Sequence, residues 1–257
     1  MSPELFGFHQ TGPENYSLSI PLGYTMRYHL NDDCKDFAKR TIAFSQTLLE
    51  SSAAIFTWID STQKIPPCTE HGLGDAMIRD YYRDFREFDP ISPDFLLSNR
   101  FSVVTLRKIA DNRFRDCHIP YAQFMARYGF VDEAAFVFWQ DNRAIAFLNV
   151  LKSRRDRTLD NESALQEMHS YIQYNLIGLD SMKTHRRNRK LTEHYLLTSR
   201  ELEIANLIAS GLSNKEICQE CQIELVTVKT HVGRVLAKLG LNTRSQVASF
   251  LHSITAN

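Results

Sequence analysis

The residues of this chain best suited to chemistry lie in one thirteen-residue stretch, TVKTHVGRVLAKL, residues 227–239. Placed at 3.6 residues per turn, Val228, Val232, Val235, Leu236 and Leu239 fall on one stripe that must face a core. The opposite side carries Thr227, Thr230, Arg234 and Ala237, with Lys229 and Lys238 on its flanks. A helix side that is small, hydroxylated and basic can approach base edges while its cations meet phosphates. The chemistry implied is recognition of double-stranded DNA. Bond-breaking chemistry has no comparable signature. There is no G-x-x-x-x-G-K-[ST] phosphate loop, no G-x-S-x-G nucleophile turn, and the nine histidines show no metal-like clustering. No cofactor is expected.

That stretch needs neighbours to hold it, and the sequence supplies them. Thr198 is followed three residues later by Glu201, and Ser213 by Glu216, both at capping-box spacing. The first of these helices carries Leu202, Ala205, Leu207 and Ile208 on an apolar face and stops near Gly211. The second is short, with Ile217, Cys218 and Cys221 turned inward. Two short helices, a turn and then a third form the helix-turn-helix arrangement. Cys218 and Cys221 are read as small buried hydrophobes, because a C-x-x-C zinc or redox site would want a second pair nearby.

The segment from Leu197 to Phe250 resembles the LuxR/NarL (GerE-type) DNA-binding domain. The matching pieces are Leu197–Glu201, Gly211–Ile217, Thr227–Val232 and Lys238–Leu239. The resemblance implies that Lys229 and Thr230 address the major groove, with Thr227 and Lys215 nearer the backbone, and His231 is grouped with them. It also implies that a last helix, about 243–254, helps pair two readers on a two-fold site, so the partners are DNA and a second copy of the chain. Two departures stand out. Glu224 occupies the N-cap position where the family uses Ser, and Gly233 stands where some members place a basic contact, which shifts weight to Arg234.

Composition sets the frame for the rest. The chain has 257 residues, 43% hydrophobic and 23% charged, with zero formal net charge. The charge is unevenly spread. From Met182 onward there are 11 Lys and Arg against 6 Asp and Glu, whereas residues 1–181 carry 19 against 24. A positive reader is thus joined to a negative domain that has no affinity for nucleic acid. No apolar run reaches the length of a membrane span and the first ten residues lack signal-peptide form, so a cytoplasmic protein without membrane contact is expected. The domain reading is 1–181 sensory, 182–196 basic linker and 197–257 reader.

Within 1–181, helical spacing is read over 32–51, a buried strand over 53–59, a helix over 73–88 ending at Asp89-Pro90, and a strand over 101–109. A helix follows over 118–128. Two strands, 134–139 and 144–151, flank an Asp141-Asn142 turn, and a long helix starts near Asn161. The 1–30 segment suggests no element. The order describes an α+β layer fold, an antiparallel sheet covered by helices, beside an all-α reader.

This order resembles GAF/PAS-like sensory domains, and its layout is similar to the autoinducer-binding domain of quorum-sensing LuxR proteins. There an aromatic-rich helix precedes an Asp-Pro that helps hold an acyl-homoserine lactone. YYRDFREFDP supplies Tyr81, Tyr82, Phe85, Asp89 and Pro90. The Trp expected about a dozen residues earlier falls near Ala76, so either the ligand differs or the register has shifted. Trp58, Tyr81, Tyr82, Phe85 and Trp139 are the candidate lining of an apolar pocket, with Asp89 accepting a hydrogen bond from a small-molecule signal. The competing reading makes this domain a ligand-free dimerisation or docking module.

Overall fold

A computed structural model of the chain describes residues 31–59, 66–110 and 115–256. The 1–30 segment lies outside them. The chain divides into two units, Met1–Tyr174 and Asn175–Asn257, and each has its own core.

The first unit is built on a five-stranded antiparallel sheet of order β2-β1-β5-β4-β3. The strands are β1 (Ala53–Trp58), β2 (Cys68–His71), β3 (Val103–Thr105), β4 (Phe130–Gln140) and β5 (Arg143–Ser153). β4 and β5 form the central hairpin. Asp141 and Asn142 both take positive φ, 48° and 67°, the left-handed pair that a two-residue turn matching strand twist requires. β2 lies between the strand expected over 53–59 and the helix expected over 73–88, where no element was expected. It pairs with β1 because Gly72, at φ 87°, lets the chain run against the Ser52 carbonyl, where a Cβ would collide.

Alternation sorts the sheet into two faces. On one, Phe56 lies 5.9 Å from Phe37 of α1 (Asp32–Leu49) and 5.9 Å from Phe138. Phe138 in turn stacks on His169 of α6 (Glu162–Gly178), whose Nε2 reaches the Val137 carbonyl at 2.9 Å. Lys152 at the end of β5 fixes α1 to the sheet by donating to the Leu49 and Glu50 carbonyls, the negative end of the helix. On the other face, Ile55, Glu133, Ala135, Asn149 and Leu151 share a layer through the pairings Ile55 with Asn149, Ala135 with Asn149, and Glu133 with Leu151. This face is covered by α2 (Asp75–Asp80), α3 (Pro93–Ser98), α4 (Leu106–Ala110) and α5 (Arg115–Arg127).

Two elements depart from the sequence expectation. The helix expected over 73–88 is regular only to Asp80, then widens into a π turn at Tyr81–Phe85 and tightens into a 3₁₀ turn at Arg86–Phe88. Asp89 precedes a proline and is extended at φ −74°, ψ 112°, which terminates the helix. The strand expected over 101–109 survives only as β3. It lies at the sheet edge, and the LRKIA that follows is rich in helix formers and turns into α4.

The second unit contains α7 (Asp180–Glu193), α8 (Ser199–Ala209), α9 (Asn214–Cys221), α10 (Leu225–Leu239) and α11 (Arg244–Ala256). Both expected capping boxes are present: Thr198 with Glu201 and Ser213 with Glu216. Most of the basic segment read as a linker is helical. It forms α7, whose Leu191 is fully buried and whose Arg187 donates to Asn206 of α8 at 2.9 Å. Its core continues through Ile204, Ile208, Ile217, Val228, Val235, Val247 and Leu251.

Candidate functional site

Two places gather the residues singled out in the sequence, one in each unit. The first is the exposed side of α10. Val228, Val235 and Leu239 are buried and Val232 and Leu236 are half-buried against the core, so the wheel reading holds. Lys229, Thr230 and Arg234 therefore stand out in solvent, and Lys215 is exposed on α9. Thr227 is half-buried in the first turn. His231 is half-buried too, and its Nδ1 has no hydrogen-bond partner. Thr230 donates to the Val226 carbonyl one turn back at 2.9 Å, leaving its methyl and an oxygen lone pair to face outward. Glu224 starts the helix without a side-chain cap.

Lys238 behaves differently from the flanking cation expected of it. Its ammonium lies 2.6 Å from Glu201 and 2.7 Å from the Leu196 carbonyl, tying α10 to the start of α8. Burial alone would raise the Glu201 carboxyl, but the Lys238 bond and the Thr198 cap hold it below its ordinary value. Val226 lies off the apolar stripe that faces the core. It is 65% exposed beside Thr227, in the first turn of α10. Cys218 and Cys221 are half-buried against the core. Burial, then nearby Glu203, pushes the Cys221 thiol up, away from the thiolate that a metal or redox site needs.

The second place is a cavity of about 100 Å³ between the sheet and the α2–α5 layer. Of the six residues proposed to line it, Tyr81, Tyr82 and Asp89 do so with their side chains in the polar end. Trp58 borders it, but its ring pairs with Phe56 at 5.0 Å on the other sheet face. Phe85 and Trp139 lie elsewhere. Phe85 stacks on Phe124 at 4.6 Å, and the Trp139 indole donates to the Phe101 carbonyl at 3.1 Å.

The polar end holds more than the sequence suggested. Asp89 accepts from the Tyr81 hydroxyl at 2.7 Å and the Ile91 amide at 2.9 Å. Glu133 accepts from the Tyr121 hydroxyl at 2.8 Å and the Asn149 amide at 2.6 Å. Both carboxyls are buried, and both line the cavity. Burial, reinforced by Glu133, pushes Asp89 up to about 8, and burial likewise raises Glu133. Tyr81 and Tyr121 are raised well above the ordinary phenol range by burial and the adjacent carboxylates. Glu133, Tyr121 and Asn149 were missed. The available signal was a carboxylate inside a buried strand, two positions before Ala135 on the cavity face.

A capped helix pair supporting a third helix with a basic, hydroxylated outer side defines a helix-turn-helix DNA-binding domain. Residues 195–251 match the family described as bacterial regulatory proteins, luxR family (GerE), so the chain carries a luxR-type domain at its C-terminal end. The transcriptional regulatory protein LiaR of Bacillus subtilis (strain 168) is 51% identical over 59 residues, covering 23% of this chain and 28% of that protein. Response regulator protein VraR of Staphylococcus aureus (strain NCTC 8325 / PS 47) is 43% identical over 76 residues, covering 28% and 36%. The chain thus spans about a third of the length of the curated relatives it matches. Among solved structures, Escherichia coli SdiA aligns with a TM-score of 0.43 at 15% identity, over 89% of this chain and 92% of that one. SdiA in complex with octanoyl-rac-glycerol aligns at 0.42 and 16%, over 88% and 90%.

Proposed function

We propose that this chain is a cytoplasmic transcription regulator that binds a two-fold DNA site as a homodimer and is controlled by a small molecule held in its first unit. The observation that carries the DNA reading is the solvent-facing set Lys229, Thr230 and Arg234 on α10, held rigid by a buried apolar stripe on the opposite side. Lys229, Thr230 and Arg234 read bases; Thr227, Lys215 and His231 position the helix on the backbone. The sensory role is assigned to 1–181 and the reading role to 197–257, with 182–196, most of which is α7 packed on the reader, joining them. No chemical step is assigned to the protein.

The test is DNA selection from random sequence, followed by titration of the selected site with the chain and with Lys229→Ala. Loss of one phosphate or base contact should weaken binding and lower the salt slope by about one counterion. Unchanged affinity together with an unchanged slope removes Lys229 from the interface. Ligand control is supported by the cavity and its buried polar groups, because a unit serving only for docking gains nothing from two buried carboxyls in an open cavity. The ligand-free docking reading predicts a thermal midpoint that no small molecule shifts.

A further inference from the structure

Resting on the reading of the first unit as a ligand-binding domain, we infer the class of ligand: an amphipathic amine, with its ammonium between Asp89 and Glu133 and its apolar body along Ile55, Met77, Phe147 and Leu151. All six residues line the same cavity.

Each of the two carboxyls is held by neutral donors only, Tyr81 and the Ile91 amide for one, Tyr121 and Asn149 for the other. Among the described residues neither forms an ion pair. Arg86, whose charge is felt at Asp89, forms its ion pair with Asp94 at 3.0 Å instead. Two carboxyls buried in one cavity with no ion pair among the described residues make a costly arrangement, and a ligand cation supplies the missing partner. Each carboxylate offers about four acceptor positions, and two are used on each, so capacity for N–H donors remains.

A second observation points the same way. Tyr82 is largely buried and lines this cavity, yet its hydroxyl has no hydrogen-bond partner among the described residues. Among the described residues that line the cavity none is cationic, and Asp89 and Glu133 are the charged groups a ligand head would meet there. The remaining wall is mainly apolar, which demands a hydrocarbon or aromatic body.

Ligand binding then becomes proton-linked. In the empty cavity the pair relieves its repulsion by keeping protons, and an arriving ammonium displaces them to solvent. The groups that face the pair are Tyr81, Tyr82, Tyr121, Asn149 and, more remotely, Arg86. None of the phenols titrates below the pH at which Asp89 does.

The experiment uses the full chain with three probes of equal length: octylamine, octan-1-ol and octanoate. Thermal midpoints and calorimetric titrations are measured from pH 6 to 8.5. Octylamine should raise the midpoint in a dose-dependent way, octanol less and octanoate not at all. Its affinity should tighten as pH rises toward 8, by up to about tenfold per pH unit if one proton leaves, while that of octanol stays flat. Heats in buffers of different ionisation enthalpy should report proton release for the amine alone. Glu133→Gln should weaken octylamine tenfold or more and leave octanol unchanged; if that variant does not fold, the wild-type pH profile decides. Octanol binding as well as octylamine, with no pH dependence, overturns the amine assignment and leaves the ligand-binding reading standing. No response to any of the three overturns both.

Discussion

Single residues decide how well the reader grips DNA and how the first unit responds to pH. Gly233 lies exposed in the middle of α10, and a Cβ built there meets nothing within 4 Å. Gly233→Ala should therefore stabilise the second unit by about 1 kcal/mol through helix propensity alone, seen as a raised melting midpoint. Gly233→Lys should add a cation to the exposed side, tightening DNA binding and raising the salt slope by about one. A weaker or unchanged complex would place this position away from the phosphates. Asp89 carries the pH prediction. Its folded pKa of about 8 lies above the ordinary carboxylate value, so between those limits the folded state holds a proton that the unfolded chain has released. Stability from this group is full at acid pH and is lost as pH rises through the window up to about 8. Asp89→Asn should flatten that slope in denaturation curves taken at pH 5 and pH 8. Glu133, Tyr81, Tyr82, Tyr121 and Arg86 are the charged and titratable groups around it, and Glu133 leaves a smaller residual slope of the same sign.

At the scale of elements, what was legible in the sequence depended on how local the controlling physics is. The capping boxes at Thr198 and Ser213, the turn at Asp141-Asn142 and the apolar stripe of α10 are short-range features, and each lies where its residues place it. The cavity was half legible. Tyr81, Tyr82 and Asp89 share one short segment, whereas Glu133, Tyr121 and Asn149 reach the same point from β4, α5 and β5, through pairings that no local pattern encodes. Phe85 and Trp139 were placed in the pocket because an aromatic residue looks the same whether it lines a cavity or fills a core. The basic segment misled for a related reason. Its charges suggested solvent, while Met182 and Leu191, both fully buried, carry the packing signal of α7, and Leu191 joins the core of the second unit. This gives a direct test. A fragment beginning at Asp180 should be more stable than one beginning at Leu197. Burial of Leu191 contributes about 1.5–3 kcal/mol, and the Arg187–Asn206 bond adds to it. Equal denaturation midpoints for the two fragments would show that α7 is dispensable to the reader.

For the whole molecule the central issue is where dimerisation resides. The outer side of α11 presents Ser245, Ser249, His252 and Ser253, all exposed, while Val247 and Leu251 turn into the core of their own unit. A pairing surface made of small polar side chains on one helix is far below the roughly 1,200–2,000 Å² that a stable complex buries. A contact through α11 alone would therefore align two readers already brought together by DNA without holding them in solution. If the chain is a homodimer before it meets DNA, residues 1–174 must supply the association. The fragment beginning at Asp180 should then sediment as a monomer at concentrations where the full chain sediments as a dimer. On DNA carrying two half-sites one helical turn apart, about 34–36 Å, the full chain should bind much more tightly than on a single half-site, whereas the fragment should gain only what α11 provides. The charge division sharpens the comparison. The second unit carries 11 Lys and Arg against 7 Asp and Glu, and the first carries 19 against 23. Removing the first unit deletes net negative charge, so non-specific affinity for DNA should rise as two-fold specificity falls. A fragment that dimerises without DNA and keeps full two-fold specificity would move the dimer contact into the second unit and leave the first unit with the ligand alone.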